Sequence, residues 1–168
     1  MIMSIGSEYM ELRTLVDEDF IQYKKPSMFI GTCYCDWKCC KENNFDVNIC
    51  QNNSLTKEPI KHISNINIIG RYLNNILTSA VILGGLEPMN QFNDMYNFIV
   101  DFRFYCNDDI VIYTGYTEEE IKDYISKLKK FENIIIKFGR YIPNQEKHYD
   151  KILGIYLASD NQYAKKIS

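Results

Sequence analysis

Cysteines crowd a short stretch of this chain, directly behind an apolar run that predicts a buried strand. The sequence has six cysteines, and five of them lie between residues 33 and 50. Thiolates gathered at the end of a strand add little to a hydrophobic core, but they are good ligands for zinc or for the irons of an iron–sulfur cluster. Cys35 and Cys39, with three residues between them, and the later Cys50 therefore predict a metal or cluster site.

Charge, hydropathy and cysteine usage exclude several classes of protein. The formal net charge of −3 gives no electrostatic reason to expect nucleic acid as a partner. No apolar run reaches the roughly 18 to 20 residues that span a bilayer, and acidic Glu8 and Glu11 stand where a signal peptide would be basic or apolar. We therefore expect a cytoplasmic protein without a membrane partner, whose reduced thiols bind a metal rather than form disulfides.

Apolar segments of strand length alternate with segments of helix length along the chain. Strands are predicted at residues 10–16, 28–32, 79–83, 109–113, 133–138 and 152–157. One helix is predicted over residues 91–104, and a second begins at a capping box formed by Thr117 and Glu120. The polar residues 41–67 are predicted to be irregular.

Strands that are apolar throughout and separated by helices indicate an α/β fold with a parallel sheet and right-handed crossovers. The length of 168 residues predicts a single domain over residues 1–168. In such sheets the loops at the carboxyl ends of the strands collect the functional groups. Four loops should therefore meet at one edge: the cysteine segment and residues 84–88, 114–117 and 159–162.

These four loops carry motifs in a characteristic order: the cysteine segment, Gly-Gly-x-Glu-Pro at residues 84–88, Thr-Gly-Tyr-Thr at 114–117 and Ser-x-Asn-Gln at 159–162. In this order they resemble the landmarks of the radical S-adenosylmethionine superfamily. Within it, residues 28–167 resemble the activating proteins of anaerobic (class III) ribonucleotide reductase, most strongly over residues 112–120. The resemblance implies a small, partial (β/α) barrel-like parallel sheet with covering helices.

The same resemblance implies a 4Fe-4S cluster and S-adenosylmethionine as cofactors, with no catalytic side chain beyond them. Three thiolates, assigned to Cys35, Cys39 and Cys50, would bind three irons and leave the fourth to S-adenosylmethionine. An electron would then cleave that molecule to methionine and a 5'-deoxyadenosyl radical. The cofactor-binding positions that match the family motifs are Gly84, Gly85, Glu87, Pro88, Thr114, Gly115, Asn161 and Gln162.

The partners implied are proteins. The radical would be delivered to a large glycyl-radical enzyme such as anaerobic ribonucleotide reductase. The electron would come from a donor such as flavodoxin or ferredoxin.

The cysteine spacing departs from the Cys-x3-Cys-x2-Cys of the family, because Glu42 stands at the third position. A carboxylate is a hard ligand in a site that favours soft sulfur, so Glu42 is interpreted as a solvated loop charge. Residues 41–49 are then an insertion, and Cys50 takes the third position because Gln-Asn follows it, as in the Cys-x-Asn that ends the cluster loop of glycyl-radical activases. Cys33 is interpreted as a buried strand residue and Cys40 as pointing away from the cluster.

Two alternatives stay open at this point. The altered spacing and the extra Leu86 inside the Gly-Gly-x-Glu-Pro turn also fit a domain that holds a 4Fe-4S cluster for electron transfer or structure only. Zinc bound by four of the clustered thiols would need Cys-x-x-Cys pairs, which the spacing fits poorly. Each of the other three motifs, taken alone, also has a structural explanation as a turn or a helix start.

Overall fold

The apolar segments form a central sheet flanked by helices in the computed structural model, which describes residues 8–168. Ten strands and four α-helices occur within those residues. The elements in chain order are β1 (Tyr9–Leu12), β2 (Thr14–Asp19), β3 (Ser27–Thr32), α1 (Lys38–Glu42), β4 (Lys61–Ser64), α2 (Asn65–Asn74), β5 (Ala80–Gly85), α3 (Phe92–Arg103), β6 (Asp109–Tyr113), α4 (Lys122–Leu128), β7 (Ile134–Phe138), β8 (His148–Asp150), β9 (Ile155–Leu157) and β10 (Tyr163–Lys166).

The main sheet has six strands in the order β10-β7-β6-β5-β3-β2. Its four central strands are parallel, whereas β2 and β10 pair antiparallel with their neighbours at the two edges. The predicted α/β class is confirmed. The sheet is mixed and open rather than wholly parallel and barrel-like, because an antiparallel strand, β2 or β10, lies on each edge.

The central strands are apolar on both faces because both faces are covered. Val81 and Leu83 point toward the large core shared with α2, α3 and α4, while Ala80 and Ile82 point to the opposite face. This alternation follows from the two-residue period of a strand. On the opposite face Leu153 and other residues of the C-terminal segment pack against the sheet.

Three predicted strands or loops are wrong in detail. Residues 10–16 form two strands, because the chain breaks at Arg13 and β1 pairs with β4 in a separate two-stranded sheet. Residues 152–157 contribute only β9, which pairs with β8 in a hairpin instead of joining the main sheet. Residues 41–67 are less irregular than expected, since they contain α1's end, two 3₁₀ turns, β4 and the start of α2.

The capping box of Thr117 and Glu120 forms, but the regular α-helix begins later than predicted. The Thr117 N–H donates to the Glu120 carboxylate at 2.9 Å, and the Glu120 N–H donates to the Thr117 hydroxyl at 3.4 Å. These bonds close a turn, and α4 starts at Lys122. The Glu120 carboxylate also binds Arg140 and Lys38, which ties this turn to neighbouring loops.

None of the helices within residues 8–168 is long and apolar enough to cross a membrane.

Candidate functional site

A cleft of about 440 Å³ opens at the carboxyl ends of the parallel strands. The four loops carrying the sequence motifs all contribute to its walls. Among the predicted site residues, those that line it are Cys35, Cys39, Cys50, Gly85, Glu87, Thr114, Gly115 and Gln162. The fold therefore brings together segments that are as much as 127 positions apart, from Cys35 to Gln162 (162 − 35).

The three predicted cluster ligands lie on the cysteine loop that follows β3. Cys35 precedes Trp37, whose left-handed backbone (φ 58°) lets its N–H donate to the Cys35 sulfur at 3.3 Å. Cys39 lies on α1, and Cys50 follows the 3₁₀ turn Val47–Ile49. All three are half-buried free thiols.

Two of the three thiols, Cys35 and Cys50, have raised pKa values. A hydrogen bond with the Cys39 thiol, together with burial, raises the pKa of Cys50 well above its usual range. Burial raises the pKa of Cys35 to about 11, and the nearby Cys50 adds to that rise. Cys35 and Cys50 therefore resist ionisation in water and become good ligands when a positive metal centre replaces their protons.

The donor set fits an iron–sulfur cluster better than a single metal ion. Within residues 8–168, no three His, Cys, Asp or Glu side chains converge closely enough to hold one ion. A cluster needs less convergence, because each of its thiolates binds a different iron. Three soft sulfur donors on one cleft wall, Cys35, Cys39 and Cys50, meet that requirement.

The two remaining cysteines of the segment are buried rather than displayed in the cleft. Cys33 is 1% exposed, and burial raises its pKa to about 11. Cys40 is the buried residue of α1, and its sulfur lies 3.8 Å from that of Cys39. Cys33 is buried at the end of β3, as the sequence predicted. Cys40 was predicted to point away from the cluster ligands, but its sulfur lies next to that of Cys39.

Glu42, at the position of the missing third cysteine, is engaged by an arginine. Its carboxylate forms an ion pair with Arg140, with 2.9 Å between Oε2 and Nε. The two terminal nitrogens of the same guanidinium bind Glu120 at 2.6 and 2.9 Å. Lys38 of α1 reaches Glu120 as well, at 3.0 Å. The carboxylate of Glu42 therefore belongs to an ionic bridge between α1 and the loop after β7.

The Gly-Gly turn is shaped by a close approach of two backbones. Gly85 has φ +94°, and a Cβ there would lie 2.9 Å from the Gly31 Cα. The Gly84 carbonyl accepts a hydrogen bond from Thr32 at 3.0 Å, and its neighbour Phe29 fills the space where a side chain would be. Gly85 consequently exposes backbone to the cleft, while Gly84 and the buried Pro88 support it from behind.

Glu87 is buried and satisfied by the chain itself. Its Oε1 accepts hydrogen bonds from the Met89 N–H at 3.0 Å and the Thr114 hydroxyl at 2.8 Å. Its Oε2 accepts one from the Gly115 N–H at 2.8 Å. Glu87 therefore joins the Gly-Gly turn to the Thr-Gly-Tyr-Thr turn. Burial nevertheless outweighs these bonds and raises its pKa to about 7.

Lys137 is a cleft residue that the sequence analysis missed. It lies on β7, is 7% exposed, and donates to the Gly139 carbonyl at 3.0 Å. Burial lowers its pKa to about 8, and Glu87 partly opposes that change. The available signal was a single lysine inside the otherwise apolar run Ile-Ile-Ile-Lys-Phe, where a charge is costly unless a site requires it.

The Ser-x-Asn-Gln segment closes one side of the cleft against the end of β7. Gln162 lines the cleft, accepts from the Ser159 N–H at 3.2 Å, and donates to the Gly139 carbonyl at 3.3 Å. Asn161 donates to the Arg140 carbonyl at 2.8 Å from a more exposed position. Gln162 is thus the member of this motif within reach of a ligand.

Comparison with known proteins gives one match. The family described as 4Fe-4S single cluster domain matches residues 24–163, which include every segment that lines the cleft after Gln22. No curated protein matches the chain. No solved structure matches it either.

Proposed function

The chain belongs to the 4Fe-4S single cluster domain family, and on that premise we propose that it cleaves S-adenosylmethionine reductively and passes the resulting radical to a protein partner. Cys35, Cys39 and Cys50 would bind the cluster. When bound, the cluster supplies the electron that splits the sulfonium into methionine and a 5'-deoxyadenosyl radical.

The observation that carries this proposal is the composition of a single cleft. Three thiols occupy one wall, and the backbone turns at Gly85 and Gly115 occupy the neighbouring walls. A site for the cluster alone would need the thiols and a cover. The additional cavity, lined by backbone and by a buried cation, suits a small zwitterionic ligand next to the cluster.

Each wall has a task toward that ligand. Backbone carbonyls of the Gly85–Leu86 turn, which lines the cleft, would accept hydrogen bonds from its ammonium group. Lys137 places a positive charge in the cleft for its carboxylate. Glu87 keeps the two turns in register through its three hydrogen bonds and so positions the site instead of contacting the ligand.

The cleft also has a rim that suits a protein partner. Ile21 and Tyr156 line it and are 77% and 68% exposed, respectively. Large apolar side chains at the mouth of a cleft favour contact with another macromolecule. We take that partner to be a glycyl-radical enzyme such as anaerobic ribonucleotide reductase, with flavodoxin or ferredoxin as the electron donor in the cytoplasm.

The proposal is tested by anaerobic reconstitution followed by product analysis. The reduced, iron-loaded protein should release 5'-deoxyadenosine from S-adenosylmethionine, measured by chromatography and mass spectrometry. Cys50→Ala should lose iron and product, because it removes one of three thiolates. Glu42→Gln is the matched control, since it removes only the ion pair with Arg140 and should keep its iron.

Two results would overturn the proposal. One is a protein that contains zinc and no iron after anaerobic purification. The other is iron content that survives the replacement of Cys35, Cys39 and Cys50 in turn.

A second function is favoured by Glu87, whose carboxylate is occupied by the chain and not free for a ligand. A domain that binds the cluster for electron transfer or structure would also tolerate that arrangement. It predicts full iron loading, dependence on Cys50, and no 5'-deoxyadenosine.

A further inference from the structure

Arg13 makes an unusual set of contacts between the main sheet and the cysteine loop. It occupies the break between β1 and β2, where its own N–H donates to the Gly31 carbonyl at 2.8 Å. Its guanidinium donates to three further carbonyls: Cys33 at 3.1 Å, Thr56 at 3.0 Å and Glu58 at 2.6 Å. These three partners are backbone oxygens rather than carboxylates.

These carbonyls belong to the two ends of the cysteine loop. Cys33 lies two residues before Cys35, where the loop leaves β3. Thr56 and Glu58 lie at the end of a run of tight turns that begins at Cys50: Asn53 N–H donates to the Cys50 carbonyl at 3.0 Å, and Glu58 N–H to the Leu55 carbonyl at 3.1 Å. Arg13 therefore holds the start of the loop, at Cys33, in a fixed position relative to its end, at Thr56 and Glu58.

The turns between Cys50 and Glu58 connect the residues that Arg13 holds to the Cys50 thiol. The Thr56 hydroxyl donates to the Asn53 carbonyl at 2.6 Å, and the 3₁₀ turn Asn53–Lys57 continues the chain without a break. Consecutive hydrogen bonds between residues three positions apart restrict the backbone of this segment. Holding its far end thus limits where the Cys50 sulfur can go.

Only a guanidinium can make these contacts at once. It presents five donors in a rigid plane, whereas a lysine ammonium is a single charge on a flexible stem. Hydrogen bonds from a charged donor to a carbonyl are also stronger than neutral ones. The three carbonyls lie on segments 20 to 45 residues apart from Arg13 in sequence, so local secondary structure cannot hold them in place.

We propose that Arg13 is a positioning residue for the cluster: it sets the distance between the Cys35 and Cys50 arms so that the displaced third thiol reaches the same cluster as the other two. Residues 41–49 displace the third ligand along the chain, and Arg13 compensates by holding the segment that follows Cys50 against the sheet. This inference rests on the cluster assignment of the proposed function, but not on the cleavage of S-adenosylmethionine.

The test compares Arg13→Gln and Arg13→Lys with Arg71→Gln, a control that removes an exposed ion pair with Asp17 on neighbouring β2. Each protein is reconstituted anaerobically, and loss of the cluster absorbance to an iron chelator is followed without S-adenosylmethionine. Arg13→Gln should lose the cluster about tenfold faster than the unmodified protein, because one charge-assisted hydrogen bond is worth at least that factor. Arg13→Lys should fall between them, and Arg71→Gln should match the unmodified protein.

A second measurement separates positioning from general destabilisation. In the cluster-free proteins, the alkylation rate of each thiol is measured by mass spectrometry. Arg13→Gln should raise the rate at Cys50 several-fold and leave Cys106 unchanged, because Cys106 lies beyond α3 and away from the loop. Equal increases at both thiols, or cluster loss no faster than in the unmodified protein, would overturn the inference. A protein that keeps its cluster with Arg13 but releases no 5'-deoxyadenosine would instead contradict the proposed cleavage alone.

Discussion

At the scale of single residues, the cleft contains two buried ionisable groups whose pKa values are displaced toward each other. Burial raises the pKa of Glu87 to about 7 and lowers that of Lys137 to about 8. Both shifts have the same cause, since a charge in a poorly hydrated site is costly. A site so arranged stores unfavourable energy near neutral pH, as is common where a ligand supplies the missing partner.

The pair predicts a pH dependence of stability with a defined sign. Between pH 4.5 and about 7 the folded protein keeps the Glu87 proton and the unfolded chain does not, so the free energy of unfolding falls as pH rises, by up to about 3 kcal/mol. Above pH 8 the buried Lys137 acts with the opposite sign, but the raised pKa values of Cys33 and Cys35 lower the free energy of unfolding over the same range and offset it. The test is therefore urea unfolding of the cluster-free protein between pH 5 and 7, where the free energy of unfolding should fall as pH rises.

Glu87→Gln provides the control for the acid limb of that curve. The amide cannot ionise, so the decline between pH 5 and 7 should largely disappear. An identical slope in both proteins over that range would contradict the assignment to Glu87.

At the scale of secondary-structure elements, the join between β3 and β5 depends on a glycine. Gly85→Ala should lower the free energy of unfolding by about 1 to 3 kcal/mol, because φ is +94° and the new Cβ would meet backbone of Gly31. Gly70→Ala in α2 is the matched control: nothing lies within 4 Å of its Cβ position, and alanine should raise helix stability by up to about 1 kcal/mol. Denaturant unfolding of both variants checks the pair, and equal effects of the same sign would contradict it.

A strand could be predicted from the sequence where its pattern of apolar residues also reflects its place in the fold. The central strands were recognised because burial on both faces requires an apolar run, and β6 was placed at Asp109–Tyr113 as observed. The run at residues 152–157 was misplaced because its apolar residues pack on the sheet as a covering segment, and composition does not separate the two roles. The edge strand β10 was missed because Ala164 is its only buried residue, which leaves no apolar alternation to recognise.

The residues of the candidate site also differ in whether the sequence alone identifies them. The cysteines and glycine turns were recognisable because their side-chain chemistry or lack of side chain is itself the signal. Lys137 and Arg13 were not, because their importance comes from burial and from backbone carbonyls distant in sequence. Glu87 was recognised as a cleft residue, but its hydrogen bonds to the neighbouring loop depend on the register of β5 and β6.

At the scale of the whole molecule, cluster binding should restrict the motion of the cysteine loop relative to the sheet. Residues 36–58 are short helical turns whose backbone-to-backbone hydrogen bonds lie within the segment, whereas β5, β6 and β7 are paired on both sides at the centre of the sheet. Loading with iron and sulfide should therefore slow amide hydrogen exchange several-fold within residues 36–58 and leave the central strands unchanged. Hydrogen-exchange mass spectrometry distinguishes local protection of residues 36–58 from uniform protection of the chain. Uniform protection would contradict a specific effect of the cluster on this loop.

The antiparallel strands at the two sheet edges have a further consequence. β2 ends in Asp17, Glu18 and Asp19, and β10 ends in Lys165 and Lys166. An incoming strand from another molecule would meet a row of charges on either side, and such charged borders are how natural proteins prevent edge-to-edge aggregation. The iron-depleted protein, in which the cysteine loop is free to move, should therefore not aggregate. The cluster can then be reconstituted in the folded protein.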